Sequence, residues 1–385
     1  MGFRRFHTAV APLLLLIALI AGTAVKAAVA AAVTAAPAAV KAAPEEKRLF
    51  IYNWSDFIGH NTIAEFEKQT GIKVTYDVYD SEETMDARLL AGSSGYDVVI
   101  ASTSYYGREI KAGVYIPLDR TKLPNWKNLD PRILAIQADH DPGNAHSVPY
   151  VHAINGFAYN VDMIKARMPN APVDSFDMIF KPEIVAKFAD CGVTFLDSPA
   201  DTVMLALQYL GLDPNTTKRE DYKAAEDLLL KVRPYIRSFD STEYLNGLAN
   251  QEICIAMSWS SDYAQSKARA RAAGVNVNLA FTVPKEGANQ NFSSLLIPEG
   301  APHPQAAYQF INFILRPDVI AEITNDIFYG NDNLASRALV SPAILGDVTL
   351  YPTPEMEARL YRSDEASAAT ERIRTRTWTR VKTAK

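Results

Sequence analysis

Two short apolar runs in the sequence are each followed by a tryptophan and an aspartate. Trp54 and Asp56 follow the first run, and Trp259 and Asp262 follow the second. An indole face attracts an ammonium group and shields methylene groups, each contact contributing about 0.5–2 kcal/mol. A carboxylate accepts charge-assisted hydrogen bonds from ammonium protons. These residue types together indicate a binding site for an organic cation.

Other aromatic, acidic and hydroxyl residues could complete such a site. The candidates are Phe292, Tyr329, Asp201, Ser55 and Ser102. Hydroxyl oxygens can accept the hydrogen bonds that carboxylates leave unmade. Each residue taken alone is more often a core, capping or surface residue. The prediction therefore depends on their combination.

Sequence patterns for common catalytic and metal chemistry are missing. The chain has no Gly-x-Ser-x-Gly elbow, no phosphate loop ending in Lys-Ser/Thr and no His-Glu-x-x-His motif. The six histidines have no metal-ligand spacing, and two cysteines cannot build a cysteine-only zinc site. The residues Gly92–Gly95 precede an apolar run and are predicted to form a turn. We expect no catalysis, no cofactor and no metal.

The elements that would position the candidate residues alternate between strand and helix. Strands are predicted over residues 49–52, 72–78 and 97–101, with helices over 61–70 and from 82 onwards. Gly71 ends the first helix, and Ser81 caps the second. This order predicts a largely parallel sheet, in which ligands bind beyond the carboxyl ends of the strands. Later strands are predicted over 193–196 and 253–257.

The length and charge of the chain limit its class. With 385 residues, of which 48% are hydrophobic, it is long enough for two hydrophobic cores. A net charge of -5 disfavours a nucleic-acid binder, which needs a concentrated basic face. The basic segment 372–385 is predicted to be a terminal helix or extension that docks through Trp378.

The N-terminus has the pattern of a secretory signal. Arg4 and Arg5 precede an apolar run over residues 9–21, and small residues follow. This run is shorter than the roughly 18–20 residues of a membrane-spanning helix. We therefore favour a cleaved signal over residues 1–30 and a flexible leader over 31–48, with an uncleaved anchor as the alternative.

Export changes the interpretation of the two cysteines. In an oxidising compartment Cys191 and Cys254 could form one bridge. A loop of that size would give roughly 4 kcal/mol of stabilisation. Two buried free thiols are the alternative.

Over residues 48–385 the chain resembles the periplasmic polyamine-binding subunits of ABC importers, nearest the putrescine-binding type. The stretches that carry the resemblance are residues 52–56 (YNWSD), 95–99 (GYDVV), 113–119 (GVYIPLD), 127–131 (KNLDP), 191–197 (CGVTFLD) and 284–288 (PKEGA). The resemblance implies an α/β, two-lobed type II solute-binding fold with a mixed, largely parallel sheet in each lobe. It implies a first lobe over 49–152 and 278–327, and a second over 153–277 and 328–385. It also implies a Cys191–Cys254 disulfide.

The resemblance assigns roles to residues of an interlobe cleft. It implies that Trp54, Trp259 and Tyr329 are aromatic walls, that Ser55 and Ser102 contact an ammonium group, that Asp262 is its principal partner and that Asp56 lies nearby. Asp201 stands where the putrescine type has Glu, and Phe57 where Tyr is usual.

One part of the cleft departs from the family pattern. After residues 284–288 the family places an aromatic residue and, two residues later, an Asp that pairs with one amine. This sequence has Asn291, Phe292 and Ser293 there. A dry ammonium without its carboxylate loses roughly 3–5 kcal/mol. We expect Phe292 to supply part of the wall and this end to prefer a neutral or hydrogen-bonding group, as in a mono-cationic amine, an acetylated polyamine or a guanidino compound.

The resemblance implies a periplasmic protein that captures a polyamine or related amine and delivers it to the permease of an ABC importer. Nothing in the sequence demands more than a monomer, which is the oligomeric state we expect. No nucleic-acid partner is expected. An amine sensor that signals instead of feeding transport is one alternative, and an exported enzyme on the same scaffold is another. Neighbouring permease and ATPase genes would favour transport, and turnover of a bound amine would favour the enzyme.

Overall fold

The computed structural model describes residues 46–384; the predicted signal over 1–30 and residues 31–45 of the predicted leader lie outside the described residues. The strands are β1 (Arg48–Trp54), β2 (Lys73–Tyr79), β3 (Val98–Ser102), β4 (Ser147–Asn160), β5 (Val193–Phe195), β6 (Ser238–Phe239), β7 (Ile255–Trp259), β8 (Leu279–Thr282), β9 (Ala288–Leu296), β10 (Gly330–Asn331) and β11 (Leu360–Tyr361).

The helices between these strands are mostly short. They are α1 (Thr62–Thr70), α2 (Glu82–Leu90), α3 (Thr103–Lys111), α4 (Pro131–Gln137), α5 (Val161–Arg167), α6 (Asp177–Phe180), α7 (Pro182–Val185), α8 (Pro199–Tyr209), α9 (Arg219–Val232), α10 (Tyr244–Ala249), α11 (Asp262–Ala272), α12 (Pro304–Ile314), α13 (Pro317–Ile327), α14 (Pro342–Leu345), α15 (Pro354–Glu357) and α16 (Ala368–Thr383). Single 3₁₀ turns lie at Arg120–Lys122, Pro124–Asn128, Pro142–Asn144, Ala186–Phe188, Arg233–Tyr235 and Leu334–Ser336.

The alternation of strands and helices predicted for residues 49–101 is confirmed, with boundaries shifted by one or two positions. β1 pairs in parallel with both β2 and β3. Gly71 ends α1 in the left-handed conformation, with φ of 70°. The Oγ of Ser81 accepts a hydrogen bond from the backbone N–H of Thr84 at 3.2 Å and so caps α2.

The sheet is mixed because β4 and β9 enter it in the antiparallel sense. β9 lies between β3 and β4 and is antiparallel to both. On its other side β4 pairs with β7, also antiparallel, and β7 continues into the parallel pairs β7–β5 and β5–β6. All fourteen residues of β4 are buried. This long strand therefore connects the two ends of the sheet.

Two large hydrophobic clusters lie on the sheet, as the length of the chain predicts. One contains Phe66 and Phe310, packed edge to face at 5.2 Å between ring centroids. The other contains Phe180 and Phe195, 5.8 Å apart. Both β4 and β9 contribute residues to each cluster. The lobe boundaries at 152 and 277 stay a prediction, and Leu279 packs with the cluster assigned to the second lobe.

Two predictions on covalent and terminal packing are confirmed. Cys191 and Cys254 form a disulfide with their Cα atoms 5.5 Å apart. Trp378 on α16 is buried, and its Nε1–H donates a hydrogen bond to Asp197 at 2.8 Å. Between residues 46 and 384 no helix combines the length and apolar character that crossing a membrane requires.

Candidate functional site

An open cavity lies where β1, β3 and β7 end. Eleven of the twelve predicted site residues line it: Trp54, Ser55, Asp56, Phe57, Ser102, Asp201, Trp259, Asp262, Asn291, Ser293 and Tyr329. The topology explains this convergence. β7 runs antiparallel to β1 and β3, so the ends of β3 and β7 approach each other along β4, where Trp259 pairs with Asn155 and Ser102 pairs with Ser293, the partner of Val151. Their contact with a ligand stays a prediction.

The loop after β1 is held by a buried residue that the sequence analysis did not single out. Asn53 is 1% exposed, and its Oδ1 accepts a hydrogen bond from the backbone N–H of Trp54 at 2.8 Å. Its Nδ2 donates to the carbonyl of Phe57 at 3.3 Å. Between them Asp56 adopts a left-handed backbone with φ of 54°, which Asp tolerates better than most residues. Asn53 thereby fixes the tight turn that presents residues 54–57 to the cavity.

The aromatic wall is built around two neighbouring indoles. The rings of Trp54 and Trp259 lie 6.0 Å apart between centroids and are tilted by 59°. Both side chains are only partly buried, so part of each ring faces the cavity. Phe57 packs edge-on against Tyr329 at 4.6 Å. This wall can shield an aliphatic chain from water.

Asp262 is a buried carboxylate that tyrosine hydroxyls hold in place. The Oη of Tyr329 donates to its Oδ1 at 3.1 Å, and the Oη of Tyr244 donates to its Oδ2. Ser261 Oγ also donates to Oδ1, at 3.3 Å. Burial raises the pKa of Asp262 to about 6, although these hydrogen bonds act in the opposite direction. The carboxylate is thus fixed in direction and easily stabilised by an added cation.

Asp56 contributes a more exposed charge on the same part of the cavity. Its Oδ2 lies 2.8 Å from a terminal guanidinium nitrogen of Arg269 on α11. The Asp56 side chain is 55% exposed, so the ion pair is screened by solvent. Asp56 is therefore a weaker partner for a ligand than Asp262.

Asp201 lies in the first turn of α8, where Ser198 caps the helix. The Oγ of Ser198 accepts from the Asp201 backbone N–H at 3.2 Å. Asn155 Nδ2 donates to Asp201 Oδ1 at 3.0 Å. Burial raises the pKa of Asp201 to about 6. The side chain is a second buried carboxylate on α8, whereas Asp262 begins α11.

Glu82 is a cavity carboxylate that the sequence analysis assigned only to a helix start. Its Oε1 accepts from the backbone N–H of Ser102 at 2.8 Å, and its Oε2 accepts from Ser102 Oγ at 2.7 Å. Burial raises the pKa of Glu82 to about 8. Asp80, Glu83 and Asp197 line the cavity as well. The signal for Asp80, Glu82 and Glu83 was their position directly after β2, and the signal for Asp197 was its position after β5; both parallel the position of Ser55 and Asp56 after β1.

Phe292 does not form the wall expected of it. Successive side chains of a strand point to opposite faces, so Asn291 and Ser293 face the cavity and Phe292 points away. Phe292 is 1% exposed, and its ring centroid lies 5.8 Å from that of His152. It is a core residue behind the site.

The charge of the cavity lining is strongly one-sided. Seven acidic residues line it and no lysine or arginine does: Asp56, Asp80, Glu82, Glu83, Asp197, Asp201 and Asp262. Asp56 and Asp197 have ion-pair partners in Arg269 and Lys382. Within residues 46–384, the cavity included, no cluster of three or more His, Cys, Asp or Glu side chains is arranged to hold a metal ion. The cavity therefore complements an organic cation that carries more than one charge.

Comparison with known proteins agrees with this geometry. Residues 61–345 match the bacterial extracellular solute-binding protein family. The chain is 49% identical to the putrescine-binding periplasmic protein PotF of Escherichia coli, over 89% of this chain and 93% of that protein. It is 47% identical to the putrescine-binding periplasmic protein SpuD of Pseudomonas aeruginosa, over 89% and 94%. The spermidine/putrescine ABC transporter substrate-binding protein PotD of Streptococcus pneumoniae superposes with a TM-score of 0.70 at 25% identity, over 87% and 98%.

Proposed function

The chain belongs to the bacterial extracellular solute-binding proteins, and we propose that it binds a polyamine in the periplasm and delivers it to an ABC importer. The observation that carries the proposal is the lining of the cavity, with seven carboxylates, no lysine or arginine and two neighbouring indoles. The names of the relatives PotF and SpuD point to the same ligand class.

Some side chains of the cavity bind the charge of the ligand, and others make apolar contact with it. Asp262, held by Tyr244 and Tyr329, accepts hydrogen bonds from one ammonium group. Trp54 and Trp259 cover the methylene groups, and their faces attract the adjacent positive charge. Burial raises the pKa of a carboxylate, so part of the protein carries a proton on that group before the ligand binds. A cation bound beside the carboxylate favours its ionised form, and binding therefore releases this proton. No residue of this arrangement needs to act as a nucleophile or base.

Titration calorimetry on the exported chain tests the proposal. Putrescine and spermidine are expected to bind, whereas 1,4-butanediol, which has the same carbon chain without charge, is not. Asp262→Asn should weaken putrescine at least about 30-fold, because it removes a buried charge partner. Asp227→Asn is the control, since Asp227 lies on α9 and pairs with Lys223. Folded protein that binds neither polyamine would refute the proposal.

A further inference from the structure

The wall around Ser293 is less neutral than the sequence suggests. In the sheet, Ser293 of β9 pairs directly with Ser102 of β3. Directly opposed residues of an antiparallel pair point to the same face, with Cα atoms about 4.5–5.5 Å apart. Both serines line the cavity. Whatever Ser102 binds therefore lies next to Ser293.

The group that Ser102 binds is the carboxylate of Glu82. Both oxygens of Glu82 accept hydrogen bonds from Ser102, one from the backbone N–H and one from the hydroxyl. Because the Ser102 hydroxyl proton points at Glu82, the lone pairs of its oxygen stay free to accept from an ammonium group. Glu82 is 9% exposed and lines the cavity, so its remaining acceptor sites are dry and directed at the same space.

Glu82 and Asp262 belong to separate acidic parts of the cavity. Glu82 begins α2, which follows β2, and Glu83 and Asp201 are among the charges that act on it. Asp262 begins α11, which follows β7, and Arg269 is among the charges that act on it. No ion pair within the described part of the chain neutralises Glu82. A ligand with two cationic ends can therefore place one end at Glu82 and the other at Asp262.

We propose that Glu82, with Ser102 and Ser293, forms the subsite for the second cationic group of an α,ω-diamine whose first ammonium group binds Asp262. The carboxylate that the family pattern places at position 293 is here supplied from α2, across the β3–β9 pair. The expected preference of this end for a neutral group is thereby replaced by a preference for a cation. The inference rests on the proposed function and names a specificity-determining residue within it.

The experiment compares two ligands that differ by one charge. Glu82→Gln keeps the size and the acceptor for the Ser102 N–H but removes the charge. It is expected to weaken putrescine at least about 30-fold and n-butylamine less than about threefold, because a monoamine can place its only charge at Asp262. Equal effects on both ligands, or none on putrescine, would overturn the inference.

Two further variants separate a binding role from a structural one. Glu109→Gln is the matched control, because the Glu109 carboxylate is also buried, accepts a hydrogen bond from Tyr115 at 2.6 Å and does not line the cavity. It should leave both affinities unchanged. Adding Ser293→Asp to Glu82→Gln should restore most of the putrescine affinity by returning a carboxylate to the same place. Absence of rescue in a folded double variant would count against the subsite.

The test also distinguishes this inference from the proposed function. If the unmodified protein and the Glu82→Gln variant bind putrescine with the same affinity, the proposed subsite is refuted and the proposed function is not. Unmodified folded protein that binds no polyamine refutes the function itself. Should Glu82→Gln fail to fold, Glu82→Asp serves instead: it keeps the charge but withdraws it by one methylene, and should weaken the diamine more than the monoamine.

Discussion

Putrescine affinity is expected to fall steeply as the pH is lowered from 8 to 5. Burial raises the pKa of Glu82 to about 8, and the pKa values of Asp201 and Asp262 to about 6. Aliphatic ammonium groups have pKa values near about 10.4, so the ligand keeps its charge throughout this range. The pH dependence therefore comes from the protein.

The magnitude follows from the number of carboxylates that must lose a proton on binding. A raised carboxylate pKa means that the group is protonated below that pKa, and cation binding then releases the proton. Each such group lowers the affinity by up to about tenfold per pH unit below its pKa. With a pKa of about 8, Glu82 is about half ionised at pH 8 and about 1% ionised at pH 6, so it alone accounts for a loss of up to about 50-fold between these pH values. Below pH 6 Asp201 and Asp262 make the decline steeper.

The assay is calorimetry at constant ionic strength from pH 5 to 8.5, repeated in two buffers of different ionisation enthalpy to count released protons. Glu82→Gln should remove the slope between pH 6 and 8 and leave the slope below pH 6. His152 also lines the cavity and is retained in that variant, so its contribution is common to both proteins. Affinity independent of pH, or an unchanged slope in Glu82→Gln, would refute this reasoning.

Two further predictions concern the indole wall and the disulfide. Trp259→Ala should weaken putrescine binding at least about tenfold, because it removes aromatic and apolar contact. The control is Trp126→Ala, which removes an indole stacked on Arg120 outside the cavity and should leave the affinity unchanged. If calorimetry gives Trp259→Ala the same affinity as the unmodified protein, Trp259 is not part of the site. Replacing both Cys191 and Cys254 by Ser should lower the free energy of unfolding in urea by roughly 4 kcal/mol, because the unfolded chain loses its cross-link, and an unchanged urea midpoint would contradict that account.

Local patterns in the sequence were sufficient for the first strands and helices. Strand β1, the Gly71 end of α1 and the Ser81 cap of α2 were predicted to within one or two residues. Each depends on neighbours along the chain, either through backbone conformation or through a side chain that bonds a nearby N–H. The antiparallel insertion of β9 beside β3 was not predictable in this way, because pairing between distant strands leaves no local signal.

The candidate site shows the same division. Residue types and their position after apolar runs were enough to select Trp54, Trp259 and Asp262, since residues just beyond strand ends commonly bind ligands in α/β sheets. The sequence by itself was thus enough to propose an organic cation as the class of ligand. Only the tertiary structure decided which carboxylates line the cavity: the alternation of side chains along β9 buries Phe292 in the core, and the β3–β9 pairing places Ser102, which binds Glu82, opposite Ser293 through contacts between residues far apart in the chain.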